Sequence, residues 1–238
     1  MEYDIVISIN VHEKFDFLLK QLDNISKEVS CRYMVLLNCN DYMYGECKKH
    51  TFPENIYIHP TILNKKHCHG SLAEGIYNNM VYSLQHFKFR YFIVTSSRNF
   101  FENHLCVEHL DKIASSGRQC NHTTPGGKWQ EIKDTWWWYG IKDTAFRKCI
   151  EPGHFHQCPH EGLVLKREDC LLVDTFVKDH VEITYEIFQV DKCPIEELFF
   201  HTVVKYQGGT FYYIGNGWMT TGKNGPNTEY FMYKTIRN

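Results

Sequence analysis

The segment HGSLAEGIYNNMVYSLQHFKFRYFIVTSSRNFF, ending at Phe101, constrains this chain most. A turn of small residues leads into a periodically apolar stretch of about four helical turns. A continuous apolar run, Tyr91, Phe92, Ile93 and Val94, then stops at Thr95, Ser96, Ser97, Arg98 and Asn99. Apolar residues without alternation are what a strand covered on both faces requires, so the segment reads as turn, helix, buried strand and polar end. In an open α/β sheet ligands bind beyond the carboxyl ends of the strands, which puts residues 96–99 where chemistry is expected.

The residues before it repeat the rhythm. Residues 4–11 (DIVISINV) form a β-branched run suited to a buried parallel strand, and residues 14–29 set Phe17, Leu18, Leu22, Ile25 and Val29 at helical spacing. RYMVLL (residues 32–37) is a second strand running into Asn38, Cys39, Asn40 and Asp41, and NIYIH (residues 55–59) is a short third. Strands alternating with helices imply right-handed crossovers, hence an α/β, mostly parallel central sheet with helices on both faces. His12, Asn38, Asn40 and Ser97 then lie at strand carboxyl ends and face one crevice. At 238 residues, with 43% hydrophobic and 15% aromatic content, the chain can bury one large core, so a single domain is expected.

Charge and cysteine usage exclude several classes. A formal net charge of -2 leaves no overall basic field for nucleic acid or an anionic membrane. No stretch has the apolar length of a signal peptide or a membrane span, which leads to the expectation of an intracellular protein whose ten cysteines are free thiols. No CxxC pair occurs. His67, Cys68 and His69 with Cys158, Pro159 and His160 come nearest to a zinc motif, but adjacent residues cannot all point at one tetrahedral ion, so no metal set is expected.

The second half is less regular. Residues 104–115 read as a helix and residues 116–128 as a polar, glycine-rich loop. Trp136, Trp137 and Trp138 follow; on a strand Trp136 and Trp138 share one face, a platform for apolar sugar faces, with core packing as the ordinary alternative. HFHQCPH (residues 154–160) is loop-like, GLVL (162–165) a short strand, residues 169–181 a helix and ITYEIFQV (183–190) another strand. In CPIEELFFHTVV, Pro194 suits a helix start, with Glu196 and Glu197 in its first turn. The tail, rich in glycine and aromatics, suits an edge hairpin.

No GxGxxG follows the first strand and no GxxxxGK[ST] occurs, so neither a dinucleotide fold nor a P-loop is supported. A reader of nucleotide-sugars remains. Such domains often hold a divalent cation with two aspartates after the fourth strand; here that position reads SSRN, and the Arg98 guanidinium can itself offset diphosphate charge through forked hydrogen bonds.

Three separated segments, in order, resemble the core-2/I-branching N-acetylglucosaminyltransferase and peptide xylosyltransferase group. The first is the opening segment, similar to that group's turn, helix and strand ending in a Ser/Gly, Gln, Asp, Tyr/Phe, Pro motif. The second is EGLVLKRED, resembling the strand and Ser/Thr-Arg-Glu turn near the acceptor. The third is IEELFFHTVV, similar to the Pro-Asp-Glu, two-aromatic, Thr motif. Anchoring on Phe199, Phe200 and Thr202 puts that group's catalytic glutamate on Glu197 and its aspartate on Glu196. Asn99 stands where the group has Asp, and Ile195 where it has Pro.

The resemblance implies a GT-A, Rossmann-like fold, with residues 1–101 as the nucleotide-sugar-binding half and 102–238 as the acceptor-binding and catalytic half. It implies an inverting, metal-independent transferase without a cofactor. The donor would be a nucleotide-sugar, UDP-linked, and the acceptor a glycan or glycoprotein hydroxyl, in a cytoplasmic protein of viral or microbial type. The expected donor contacts are Val11, His12, Asn38, Asn40, Gly70, Ser71, Ser97, Arg98 and Asn99, with Lys223, Lys234 and Arg237 as the basic residues of the tail. Trp136, Trp138, His160 and Glu161 are expected on the acceptor side, and Glu197 as the general base. Two alternatives stand beside this reading: a carbohydrate-binding protein without catalysis, and a metal-dependent transferase that recruits Asn99, Glu102 or a histidine.

Overall fold

A computed structural model describes residues 2–116, 136–150, 154–214 and 232–234. The four expected strands form β1 (Ile5–Val11), β2 (Tyr33–Cys39), β3 (Ile56–Ile58) and β4 (Tyr91–Ser96). They lie side by side in the order β3, β2, β1, β4, all parallel. Their side chains split between two apolar layers, as two-faced burial demands. Val6, Met34, Leu36, Phe92 and Val94 face one core, while Ile5, Ile7, Ile9, Val35, Leu37 and Ile93 face the other.

The second core is closed by α1 (Phe15–Glu28), α2 (Asp41–Lys48) and α4 (Val107–Ser116). In α1 the apolar residues Leu18, Leu22 and Ile25 are buried, and Gln21 is buried with them. Its Nε2 donates to the Ser96 carbonyl at 2.7 Å, tying α1 to the end of β4. Helix α2 is absent from the sequence reading; Asn40 starts it, accepting from the Met43 N–H at 2.9 Å, and Met43 and Cys47 fall one turn apart on the buried side.

The first core lies under α3 (Ser71–His86), α5 (Trp136–Ile141), α6 (Ala145–Cys149), α7 (Arg167–Asp179), α8 (Val181–Phe188) and α9 (Phe199–Tyr206). A cluster of phenylalanines, Phe146, Phe176, Phe188, Phe199 and Phe200, packs mostly edge to face there. Each fully buried ring contributes about 1.5–3 kcal/mol. The sheet continues past β4 with β6 (Leu163–Lys166), antiparallel to β4, and β7 (Phe211–Tyr213), antiparallel to β6. A separate pair joins β5 (Asn99–Phe101) to β8 (Met232–Lys234). The α/β class and the mostly parallel sheet with helices on both faces are as the sequence implies.

Three local expectations are corrected. ITYEIFQV is not a strand: its residues to Phe188 belong to α8, where Thr184, Ile187 and Phe188 are buried while Val181 and Tyr185 stay 65% and 70% exposed. That is a helical stripe, and packing against α3 and α6 overrides the β-branched composition. Trp136 and Trp138 begin the helix α5, so they lie roughly 200° apart around its axis and share no face. Pro194 does not open one helix. It caps a 3-10 turn, Ile195–Glu197, which holds Glu196 and Glu197 as expected, but that turn is broken at Leu198 before α9 starts, so the two acids and the Phe199, Phe200 pair belong to separate helices.

Candidate active site

The carboxyl ends of β1, β2 and β4 lie together, with Asn10 paired to Asn38 on one side and to Ser96 on the other. Strand order reverses between β1 and β4, the position where open α/β sheets bind ligands. Around it the chain places polar groups that a plain core would not contain. Asn10 Nδ2 donates to the Leu72 carbonyl at 2.8 Å, while its Oδ1, both amide atoms of Asn38 and the Ser97 hydroxyl are buried without a hydrogen-bond partner among the described residues. Buried polar atoms are nearly always satisfied, so these three side chains point to a water or a ligand at the strand ends.

The structure distributes the expected donor residues between that edge and local structural work. Val11 ends β1 and the half-buried His12 follows it. Asn40 spends its Oδ1 on the α2 cap. Gly70 is required by packing: a Cβ there would meet the Ile187 carbonyl oxygen and lie 2.6 Å from that of Phe188. Ser71 opens α3, its N–H donating to His69 Nδ1 at 2.9 Å and its Oγ accepting from the Lys66 N–H at 3.2 Å.

The SSRN turn has its own internal logic. Asn99 Oδ1 accepts from the Ser96 N–H at 2.6 Å and the Ser96 hydroxyl at 2.9 Å, closing the step from β4 into β5. Arg98 turns back to Glu13 after β1, with Nε 3.1 Å from the carboxylate. Strand register sets the Lys234 backbone opposite Asn99, while its side chain lies outside the described residues. Lys223 and Arg237 lie outside the described residues, as do the side chains of Trp136 and Trp138.

Lys65, from the segment before α3, enters the same region and was missed by sequence reasoning. Its Nζ donates to the Asn38 carbonyl at 2.7 Å, and burial pulls the ammonium down to about 7 despite the opposing influence of Cys39 and Glu74. Gly75 makes room for it: a Cβ would lie 2.8 Å from Lys65 Cε and 3.0 Å from Asn38 Oδ1. A lysine pair, Lys65 and Lys66, in a polar connection gave no hint of this; only the tertiary packing does.

The acids assemble at the other side of β4. Because β6 runs against β4, the residues just before it, His160 and Glu161, emerge at the carboxyl edge, fixed by the Gly162 N–H on the Val94 carbonyl at 2.9 Å. The 3-10 turn is stitched to the same loop by the Cys158 N–H on the Glu197 carbonyl at 2.9 Å. It also abuts the head of α3, where the Cys193 N–H donates to the Cys68 carbonyl at 2.8 Å and Gly70 N–H to Val190 at 2.9 Å. His160 Nδ1 is 3.5 Å from the Glu161 carboxylate and 3.9 Å from that of Glu196.

One ligand atom each from His160, Glu161 and Glu197 lie within 4.8 Å of one another, with His160 and Glu161 buried and Glu197 half-buried. Three residues expected from sequence, the base and two acceptor contacts, are therefore brought together. Asp174, on α7, is occupied elsewhere, accepting from the Tyr77 hydroxyl at 3.0 Å and the Lys178 ammonium at 2.6 Å. The described cysteines are free thiols, and no described helix is long and apolar enough to cross a membrane. No protein-family model matches the chain, and comparison with curated proteins finds no match.

Proposed function

We propose that this protein is an inverting, metal-independent glycosyltransferase, moving a sugar from a nucleotide-diphosphate donor, UDP-linked, to a hydroxyl of a glycan or glycoprotein, on a GT-A-like scaffold. The observation that carries the reading is the convergence of Glu197 with Glu161 and His160 at the carboxyl edge of β4, beside unpartnered polar groups at the ends of β1 and β2. One side of the crevice can hold the donor and the other a proton acceptor. Glu197 takes the proton of the attacking hydroxyl; Glu161 and His160 hold that hydroxyl in place. The candidates for meeting the leaving diphosphate are Arg98 of the SSRN turn, now paired with Glu13, and the basic residues of the tail, Lys223, Lys234 and Arg237. Metal independence rests on the turn itself: it offers an arginine and an asparagine whose oxygen already accepts two hydrogen bonds.

The test is release of nucleoside diphosphate from a panel of nucleotide-sugars with glycan acceptors, with and without excess chelator. Glu197→Gln lowers kcat by roughly 10²- to 10⁴-fold with donor affinity nearly unchanged. Glu196→Gln has a much smaller effect, because neighbours in a 3-10 turn point about 120° apart. Turnover abolished by chelator, or equal loss in both variants, overturns this assignment.

A further inference from the structure

The His160, Glu161 and Glu197 constellation has a property that proton transfer does not use. Its three ligand atoms come from two segments, the loop before β6 and the 3-10 turn, and both backbones are fixed. The His160 carbonyl accepts from the Leu163 N–H at 3.1 Å, the Gly162 N–H donates to Val94, and the Cys158 N–H donates to the Glu197 carbonyl at 2.9 Å. The side chains therefore converge from a rigid frame, as a preformed ion site requires. The 3.5 Å between His160 Nδ1 and the Glu161 carboxylate is close to the roughly 3.4 Å edge of a tetrahedron with zinc bonds of about 2.0–2.1 Å. Glu197, half-buried and with a ligand atom within 4.8 Å of the other two, closes the triangle by a side-chain shift of at most about 1.4 Å.

We propose that His160, Glu161 and Glu197 bind a first-row transition-metal dication, zinc foremost, and that this ion inhibits transfer by occupying the carboxylate that serves as base. One imidazole and two carboxylates form a mixed nitrogen and oxygen set, which suits zinc better than magnesium or calcium, whose sites are built from oxygens. The ion takes the Glu197 carboxylate and the space beside it that the attacking hydroxyl needs, with water completing its fourth position, so the ion and the acceptor compete for one place. Binding of the ion stands on ligand geometry alone; its inhibitory effect rests on the transferase reading.

The experiment is calorimetric titration of the full chain, stripped with chelator, with zinc chloride, and with cobalt chloride followed by visible absorption. The expected result is one site above the background of surface histidines and thiols, weakened roughly tenfold or more in His160→Ala and in the isosteric Glu161→Gln. Magnesium chloride gives no comparable heat. Circular dichroism confirms that the variants are folded, and Glu161→Gln decides the matter if His160→Ala is not. Undiminished zinc binding in a folded variant, or no binding in the parent chain, overturns the proposal. Where transfer is measurable, zinc slows it and raised acceptor concentration relieves the inhibition; zinc bound with transfer unaffected overturns the inhibitory part. A chain that binds zinc through these residues but transfers no sugar refutes the transferase reading and leaves the ion site standing.

Discussion

His201, on α9, is fully buried against the Phe211 ring, centroids 4.9 Å apart, and neither ring nitrogen has a hydrogen-bond partner among the described residues. Burial, reinforced by His160 and His156, drives its pKa from 6.5 down to about 3. The unfolded chain therefore binds a proton at this residue between pH 6.5 and about 3 while the folded chain does not. Stability is unaffected near neutrality and falls as pH drops through that window, at about 1.4 kcal/mol per pH unit. At pH 5 the loss from this one residue is roughly 2 kcal/mol, or about 4–8 °C in Tm for a chain of this size. His201→Phe removes the titrating group. Any overpacking of the larger ring costs about 1–3 kcal/mol equally at every pH, so the slope is the readout. The assay is thermal or urea unfolding of both chains from pH 7.5 to 4.5, with chelator present so that no cation occupies His160. His156, held down to about 4 chiefly by burial, contributes the same sign in both chains and largely cancels in the difference. Parallel pH profiles for the two proteins would refute the argument, because they would mean that His201 is protonated in the fold or reaches water.

Gly70→Ala pushes a methyl into the main-chain oxygens at the end of α8, which cannot rotate away, so a loss of about 1–3 kcal/mol is expected in urea unfolding. For Lys65, whose folded pKa lies near 7, the unfolded chain holds its proton up to the ordinary 10.5. Stability relative to Lys65→Met therefore rises with pH between about 7 and 10, and a flat difference would show the amine to be solvated. Trp136→Ala and Trp138→Ala now have separate expectations, since their α5 positions point apart: at most one weakens acceptor use, measured as KM for acceptor against donor affinity.

Much of the architecture was legible in local sequence. β1, β2 and β4 are apolar runs ending in polar residues, and α1 and α3 carry their buried residues at helical spacing, so element type followed from period alone. Their alternation with helices implied parallel strands, and with that the carboxyl edge where Asn38 and Ser97 lie, while the strand order came from the tertiary structure. What sequence could not decide was which of two compatible conformations a short segment adopts. Residues 183–188 carry enough β-branched side chains for a strand, yet α3 and α6 offer a helical stripe a place to bury. The break at Leu198 likewise depends on how Phe199 and Phe200 enter a shared core. The site is the most tertiary feature of all. Glu197, His160 and Glu161 belong to segments far apart in the chain, and they meet because β6 runs against β4 and delivers its leading residues to the edge where the 3-10 turn is docked. Lys65 reaches the same edge only because Gly75 leaves its stem room, a pairing that no spacing rule encodes and that close packing alone creates.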